Sequence, residues 1–293
     1  MIRSLQRGAA PGEATPLAGM PRTRAASLRR SSPLSQPAAY GAAALLGLLL
    51  AWWLATAVPG WVPPRVLPSP ADVVARFAAL IVEPFSGSTL AGHALASLHR
   101  WIFGVAVGIL LGVPVGIVLG WLPPLRAVIT PTFELLRYIP PFAWVPIAVL
   151  WLGASTTTQA LIVFIAAFPA CVINSQLGVS QVDGILVRAA RTLGAGSVTM
   201  LRRVVLPAAA PSIFMGIRIA VSNGWMALVG AELVVGKEGL GFLISQGQIN
   251  DSAATILVGM MAIGALGFLI DAGLQRFQRV LLPWKSAEVR PPE

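Results

Sequence analysis

Residues 187–207 read VRAARTLGAGSVTMLRRVVLP, a polar and basic segment set between long apolar runs. The stretch from Val187 to Leu193 is typical of a short helix, and a Gly-Ala-Gly turn interrupts it. Ser197 is a suitable N-cap for a second short helix, which Pro207 is predicted to end. Two short helices joined at an angle form a compact projection to which a soluble partner can bind.

Composition places the rest of the chain in a membrane. Of the 293 residues, 56% are hydrophobic and only 11% are charged, whereas about 25% are charged in an average soluble domain. The apolar residues arrive in runs of about twenty, the length that crosses a hydrocarbon core of about 30 Å. We therefore predict an all-α, polytopic transmembrane bundle of about six spans.

The spans are assigned to apolar runs separated by polar or proline-bearing stretches. They are residues 38–58, 101–122, 140–152, 158–177, 211–233 and 253–274. A short amphipathic helix is expected at 71–82, and a short loop carrying Arg126, Glu134 and Arg137 is expected before the third span. The first run ends in a small-residue Ala-Thr-Ala sequence, so a cleaved signal peptide is the alternative there, although the length of the run favours a span.

These spans form one predicted domain, residues 38–275, with a cytoplasmic loop at 178–210. Residues 1–37 hold six arginines and one acid and cannot build a core, so we predict a disordered basic tail. Residues 276–293 are predicted to be a cytoplasmic C-terminal tail. With both termini inside, sixteen of the 21 Lys and Arg residues lie on the inner side, as the positive-inside rule requires.

The second predicted span carries a glycine at every fourth position. Such spacing places the glycines on one helix face, where a neighbouring helix backbone can approach closely. We predict tight helix packing along this glycine ladder, defined as Gly104, Gly108, Gly112, Gly116 and Gly120.

Several function classes find no support in the sequence. The net charge of +10 lies beside the spans and is not interleaved with base-stacking aromatics, so nucleic acid is not a predicted partner. The chain has no GxxxxGK[ST] phosphate loop, HExxH motif or GxSxG elbow, so we predict no enzyme activity, no cofactor and no metal site. Cys171 is the only cysteine and is expected to be a packing residue.

Two charges fall within the fifth predicted span. Arg218 is expected either to face the bundle or to extend to the lipid headgroups. Glu232, near the outer end, is predicted to be a structural or gating partner rather than a ligand for solute.

The opening segment resembles the cytoplasmic loop of permease subunits from binding-protein-dependent ABC importers. That loop carries Glu-Ala-Ala, three residues, Gly and a later Leu-Pro. The matching residues here are Ala189, Ala190, Gly194, Leu206 and Pro207, with Arg188 in place of the usual Glu. The resemblance covers residues 67–274 and is nearest to the nitrate, sulfonate and taurine group, through LPSPADVV, LRYIPPFAWVP, WLG, WMALVGAELV and GLGFLI.

The resemblance implies a type I importer domain in the inner membrane, multi-pass and embedded in lipid, acting as half of a homodimeric pore. A periplasmic or extracellular solute-binding protein would deliver a small anionic solute of the sulfonate, taurine or nitrate type. A separate ABC ATPase would dock on Arg188, Ala189, Ala190, Leu193, Gly194, Leu206 and Pro207. The same resemblance implies a solute pathway along Ser222, Asn223, Trp225 and Met226.

Two other interpretations stay open from the sequence alone. An ion-gradient-driven secondary transporter would need broken helices in repeated halves and buried coupling carboxylates, and this chain has few acids at midspan. A structural membrane scaffold would not need the Ala-Ala-x-x-x-Gly loop. For the four pathway residues, the alternative is a role in helix-to-helix contact, which midspan Ser and Asn commonly have.

Overall fold

The computed structural model describes residues 36–58 and 62–281. Most of the predicted N-terminal tail (1–35) and the end of the predicted C-terminal tail (282–293) therefore lie outside the described residues. The described part is helical, and its only β-type pairing is an isolated bridge between Phe85 and Ser88. The all-α prediction is confirmed.

The helices follow one another with short connections. In chain order they are α1 (Gln36–Ala57), α2 (Pro70–Val82), α3 (Leu90–Trp121), α4 (Pro123–Arg137), α5 (Val145–Leu152), α6 (Thr156–Ser180), α7 (Gly184–Thr192), α8 (Ser197–Met200), α9 (Leu206–Val235), α10 (Leu240–Ile249) and α11 (Ala253–Leu281). A 3₁₀ turn (Pro141–Trp144) precedes α5, and a π-helical turn (Leu201–Val205) joins α8 to α9.

The predicted number of spans is confirmed. Within the described residues, five helices are long and apolar enough to cross a membrane, and a sixth span results if one bent helix pair is counted. The five are α1 from Tyr40, α3, α6, the continuous helix Ser197–Val235 and α11 to Val280. The expected amphipathic helix is α2. A capping box between the N-cap residue Ser69 and Asp72 stabilises its first turn.

The third span differs from its prediction. Arg126, Glu134 and Arg137 do not lie in a loop, because they belong to helix α4, which meets the Pro141–Leu152 helix at an angle of 87°. Charged residues suggested a loop, yet they occupy an amphipathic helix with exposed Val128 and Leu135. The bend follows from Pro140 and Pro141, which cannot continue a helix from Arg137.

The prediction that Pro207 ends a helix is wrong. The helix that starts at Ser197 runs on to Val235 with Pro207 inside it. The π-helical turn explains this continuity, because the N–H of Leu206 bonds to the carbonyl of Leu201, and the widened turn accommodates a residue that lacks an N–H. Ser197 is the first helical residue rather than the N-cap, a position that Gly196 occupies.

The glycine ladder packs α3 against α6, as predicted. A Cβ atom added at Gly104 would lie 2.6 Å from the Ala160 carbonyl oxygen, and one at Gly112 would lie 2.7 Å from Cys171 Cβ. Distances this short leave no room for any side chain. Cys171 is fully buried in this contact, so its predicted packing role is confirmed.

Candidate functional site

Helix α7 and the turn after it have well-defined ends. At the start, the Asp183 carboxylate accepts a hydrogen bond from the N–H of Ile185 at 2.8 Å. At the end, the N–H of Gly194 bonds to the Arg191 carbonyl and the N–H of Ala195 to the Ala190 carbonyl, each at 3.0 Å. This is a Schellman motif, and Gly194 takes the left-handed conformation that it requires, with φ at 80°.

One side of this segment packs on the rest of the chain. Ala190 is buried in a cluster with Met200, Val205, Ala209 and Val179. A residue as small as Ala190 leaves room for another helix or for a partner surface, and in this chain the following helix takes that room. Its role is therefore to hold α7 close to the start of the long helix that continues as α9.

The other side is apolar and exposed. Leu193 is 87% exposed, and Ile185, Leu186 and Val198 are also exposed large hydrophobic residues. Ala189 and the four arginines of the segment are exposed beside them. We call this surface the knob: residues 184–200 with their outward side chains. An exposed apolar patch bordered by charge is typical of an interaction site.

The remaining predicted docking residues lie at its edge. Arg188 is exposed on α7, and its carbonyl accepts a hydrogen bond from Thr192. Leu206 is half-buried and Pro207 is exposed at the start of α9. All seven predicted docking residues thus fall on or next to the knob, although Ala190 faces inward.

The four predicted pathway residues do not share one environment. Ser222, Asn223 and Met226 are exposed on α9, whereas Trp225 is buried. The Trp225 indole N–H donates to the Ile263 carbonyl at 3.3 Å, and its ring meets Trp101 edge-on with centroids 5.9 Å apart. Trp225 therefore joins α9 to α3 and α11, and all four residues border one or both of two cavities.

Two cavities lie on either side of α9. The larger, about 660 Å³, is bounded by the bent pair, α6 and α9, and includes Asn223 and Met226. The smaller, about 420 Å³, lies between α9 and α11 and includes Ser222, Trp225 and Met226. Met226, 69% exposed, borders both.

A buried polar cluster lies at the opposite end of α9 from the knob. Arg100 and Glu232, 6% and 0% exposed, form an ion pair with Nη1 and Oε1 3.0 Å apart. The Ser97 hydroxyl donates to Glu232, and the Glu232 carboxylate also accepts from the N–H of Gly241 at 2.9 Å. The sequence predicted a structural or gating partner in Glu232; these contacts show the structural role, and the sequence did not identify Arg100 as its partner.

His93 extends the cluster to the chain before α3. Its Nδ1 accepts a hydrogen bond from the N–H of Gly239, and its Nε2 lies 3.0 Å from the Phe85 carbonyl, so the proton resides on Nε2. Within residues 36–58 and 62–281, no group of three or more potential ligands could hold a metal ion. The hydrogen bonds and the ion pair of the cluster join α3, α9 and the start of α10.

A second ion pair joins α9 to α11. Arg218 Nε lies 2.9 Å from Asp271 Oδ1, and Nη2 lies 3.1 Å from Oδ2. Gln275 donates to the same carboxylate at 2.8 Å. Of the two alternatives for Arg218, the structure supports the one in which it faces the bundle.

Reversing the charge at either end of this pair is expected to weaken the contact between α9 and α11. Arg218→Asp and Asp271→Arg should each lower the denaturation midpoint in detergent by a small amount, because both side chains are partly exposed. The exchanged double variant should recover part of the loss. Gln275→Ala is the matched control with a smaller effect, and a double variant no better than the worse single variant would contradict the pairing.

Residues 104–286 match the family model described as binding-protein-dependent transport system inner membrane component. The taurine transport system permease protein TauC of Escherichia coli (strain K12) is 34% identical over 253 residues, covering 86% of this chain and 92% of that protein. The nitrate import permease protein NrtB of Synechocystis sp. (strain ATCC 27184 / PCC 6803 / Kazusa) is 31% identical, covering 83% and 88%.

Solved structures agree on the fold. A structure described as an inward-facing conformation of the MetNI methionine ABC transporter superposes with a TM-score of 0.58 at 19% identity, covering 65% of this chain and 95% of that one. Since the family model spans more than half of the chain, the sequence resemblance is confirmed. The chain belongs to the family of binding-protein-dependent transport system inner membrane components, and it is a multi-pass permease subunit of an ABC importer.

Proposed function

We propose that this permease carries a small anionic solute of the sulfonate, taurine or nitrate type across the inner membrane. The printed substrates of TauC and NrtB, taurine and nitrate, support this class. Membership of the family implies two further components, a solute-binding protein and an ATPase. The chain itself would form the pathway and perform no chemical reaction.

In this proposal both termini are cytoplasmic, and residues 1–37 and 276–293 are cytoplasmic tails of the 38–275 transmembrane domain. The uneven distribution of Lys and Arg supports this orientation. It places the knob, within residues 178–210, on the side of the membrane where ATP is available. The Arg100–Glu232 cluster then lies at the outer side.

Two copies would form the pore, surrounded by lipid. The support is the exposed side of α9, where Asn223 and Met226 border an open cavity rather than a closed core. The exposed polar side chains of Ser222 and Asn223 at midspan favour a protein-lined path over direct contact with lipid. A second copy that covers this side would enclose the path.

The knob would be the docking site of the ATPase, and its exposed apolar side is the observation that carries the proposal. Leu193 projects from the end of α7, and the opposite side of the segment is fixed to the long helix Ser197–Val235 by Ala190 and Val205. A movement of the ATPase would therefore be transmitted directly to a helix that borders both cavities. This is a rigid connection between a nucleotide-dependent partner and a two-state bundle.

Replacing Leu193 with Glu is expected to detach the ATPase without disturbing the fold. A central apolar contact of an interface is worth about 2 kcal/mol or more, so the ATPase retained on the purified permease should fall by about tenfold or more. ATP-dependent uptake of radiolabelled taurine or nitrate into proteoliposomes that contain the whole importer should fall with it. Leu193 is preferable to Gly194 for this test, because any side chain at Gly194 also strains the left-handed turn.

Gln181→Glu is the matched control, since it adds the same charge at an exposed position just before the knob. It should leave both the retained ATPase and the uptake near their original values. Normal uptake and normal ATPase retention in Leu193→Glu would show that the knob is not the docking site. Uptake that needs no ATP would contradict the proposal and favour an ion gradient.

A further inference from the structure

The larger cavity has aromatic walls and one cation. Phe142 and Trp144 come from the bent pair, and Phe164 and Phe168 come from α6. Among the described residues that border this cavity, Arg137 alone is charged. A cavity of about 660 Å³ is within the usual size range of small-ligand sites, which are largely apolar with a few directing polar groups.

Arg137 has no neutralising partner among the described residues. Its guanidinium lies 4.7 Å from the centre of the Tyr138 ring, and Nη2 donates to the Tyr138 hydroxyl at 3.3 Å. No carboxylate in residues 36–58 and 62–281 lies within ion-pair distance of this exposed side chain. A cation held beside an apolar cavity without a counter-charge favours the entry of an anion.

Two further donors border the same cavity. The Asn223 amide is exposed on α9 and has no hydrogen-bond partner within the described part of the chain. The Trp144 indole nitrogen is buried and also unpaired among the described residues. A buried unpaired donor is costly and calls for an explanation. An acceptor atom of a ligand within hydrogen-bond distance would satisfy this N–H.

The donor set fits an oxyanion. A guanidinium presents parallel N–H groups that match two oxygens of a sulfonate or nitrate, and an amide and an indole N–H add donors without adding negative charge. The aromatic walls accommodate the short carbon chain of an organic sulfonate. A carboxylate on the wall would repel such a ligand, and no described residue that borders the cavity supplies one.

We propose that this cavity is an oxyanion site within the transport pathway and that Arg137 is the residue that recognises the charge of the solute. The inference rests on the proposed function and adds to it the position and the chemistry of the site. In this proposal the bend of the third span has a functional role, because it places Arg137 next to the cavity.

The test measures uptake of radiolabelled taurine and of nitrate by the complete importer, reconstituted with its ATPase and binding protein. Arg137→Gln should reduce uptake of both probes by about tenfold or more, because it removes a charge-assisted contact. Arg137→Lys should retain part of the uptake and Arg137→Glu should retain least. This order depends on charge, and a merely structural role would not produce it.

Arg126→Gln is the control, since it removes an arginine from the same helix α4 away from the cavity. If the Arg137 variants fail to assemble, Asn223→Asp tests the site from α9, and its added negative charge should also depress uptake of both probes. Uptake equal to wild type in Arg137→Gln, or equal losses in all three Arg137 variants with normal assembly, would overturn the proposal. A wild-type importer that takes up neither probe would instead contradict the proposed function.

Discussion

Replacing Glu232 with Ala is expected to lower the free energy of unfolding by about 3–5 kcal/mol, because breaking a buried ion pair leaves a buried charge without its partner. Glu232 is fully buried and accepts hydrogen bonds from three donors, the Ser97 hydroxyl, the Arg100 guanidinium and the N–H of Gly241. Its removal leaves the Ser97 hydroxyl and the Gly241 N–H without this acceptor and leaves Arg100 with only its contacts to Glu238. The measurement is the denaturation midpoint of the purified protein in detergent as SDS is added.

Charge and hydrogen bonding can be separated at this position. Glu232→Gln keeps the shape of the side chain and an acceptor oxygen but removes the charge, so it should cost less than Glu232→Ala. The double variant Arg100→Gln/Glu232→Gln should be less destabilised than the sum of the two single variants, because neither charge is left without a partner. Strict additivity would show that the ion pair itself contributes nothing.

Glu238 provides the matched control. Its carboxylate lies 3.8 Å from Arg100 Nη2 but its side chain is 46% exposed, so Glu238→Gln should cost about 1 kcal/mol or less. The Glu238 backbone carbonyl, which accepts from Arg100 at 2.7 Å, is unchanged by that substitution. A loss in Glu238→Gln as large as that in Glu232→Ala would contradict the importance given to burial.

The elements that the sequence predicted correctly are those whose pattern is local. The glycine ladder has a period of four residues, and that spacing alone places the glycines on one face of α3. The amphipathic α2 and the turn that begins at Gly194 are likewise set by residues close together in the chain. The assignment of Leu193 and its neighbours to a docking surface came from the resemblance and stays a prediction.

The features that the sequence missed depend on contacts between distant segments. Nothing in the sequence pairs Arg100 with Glu232, which lie on different helices 132 residues apart, or Arg218 with Asp271. The bent third span was missed because the charges on α4 resemble those of a loop. Pro207 was misjudged because a π-helical turn lets the helix continue. The edge-on contact of Trp225 with Trp101 could not be read from the sequence either, and its place on the pathway stays a prediction.

A leucine in place of Gly116 is the second change with a large expected effect. A Cβ atom at this position would overlap the carbonyl oxygen of Val172 and lie 2.6 Å from Ser175 Cβ. The carbonyl belongs to the backbone of α6 and cannot turn aside as the tip of a side chain does. The two helices would have to separate, and we expect a loss of about 3 kcal/mol, the upper end of the usual cost of overpacking.

The distances along the glycine ladder also predict that glycine-to-alanine substitutions destabilise the protein to different degrees. At Gly108 an added Cβ would lie 3.0 Å from Ala167 Cβ and 3.4 Å from the nearest backbone atom, so Gly108→Ala should destabilise less than Gly116→Ala. Gly273 on α11 has nothing within 4 Å of an added Cβ. There the substitution to Ala should be neutral or stabilising by up to about 1 kcal/mol, because glycine is the poorer helix former.

The sign of the change in stability in the alanine variants of Gly108, Gly116 and Gly273 therefore distinguishes the effect of close packing from that of helix propensity. Propensity alone would make all three alanine variants more stable, while close packing makes Gly116→Ala less stable and leaves Gly273→Ala unharmed. The denaturation midpoint in detergent, measured for the three variants side by side, decides between them.

Because α6 contacts α9 in turn through Gly178 and Gly216, a separation of α3 from α6 should also disturb the cavity beside Asn223. Gly116→Leu should then reduce uptake even where enough protein folds to be reconstituted, whereas Gly273→Leu should not.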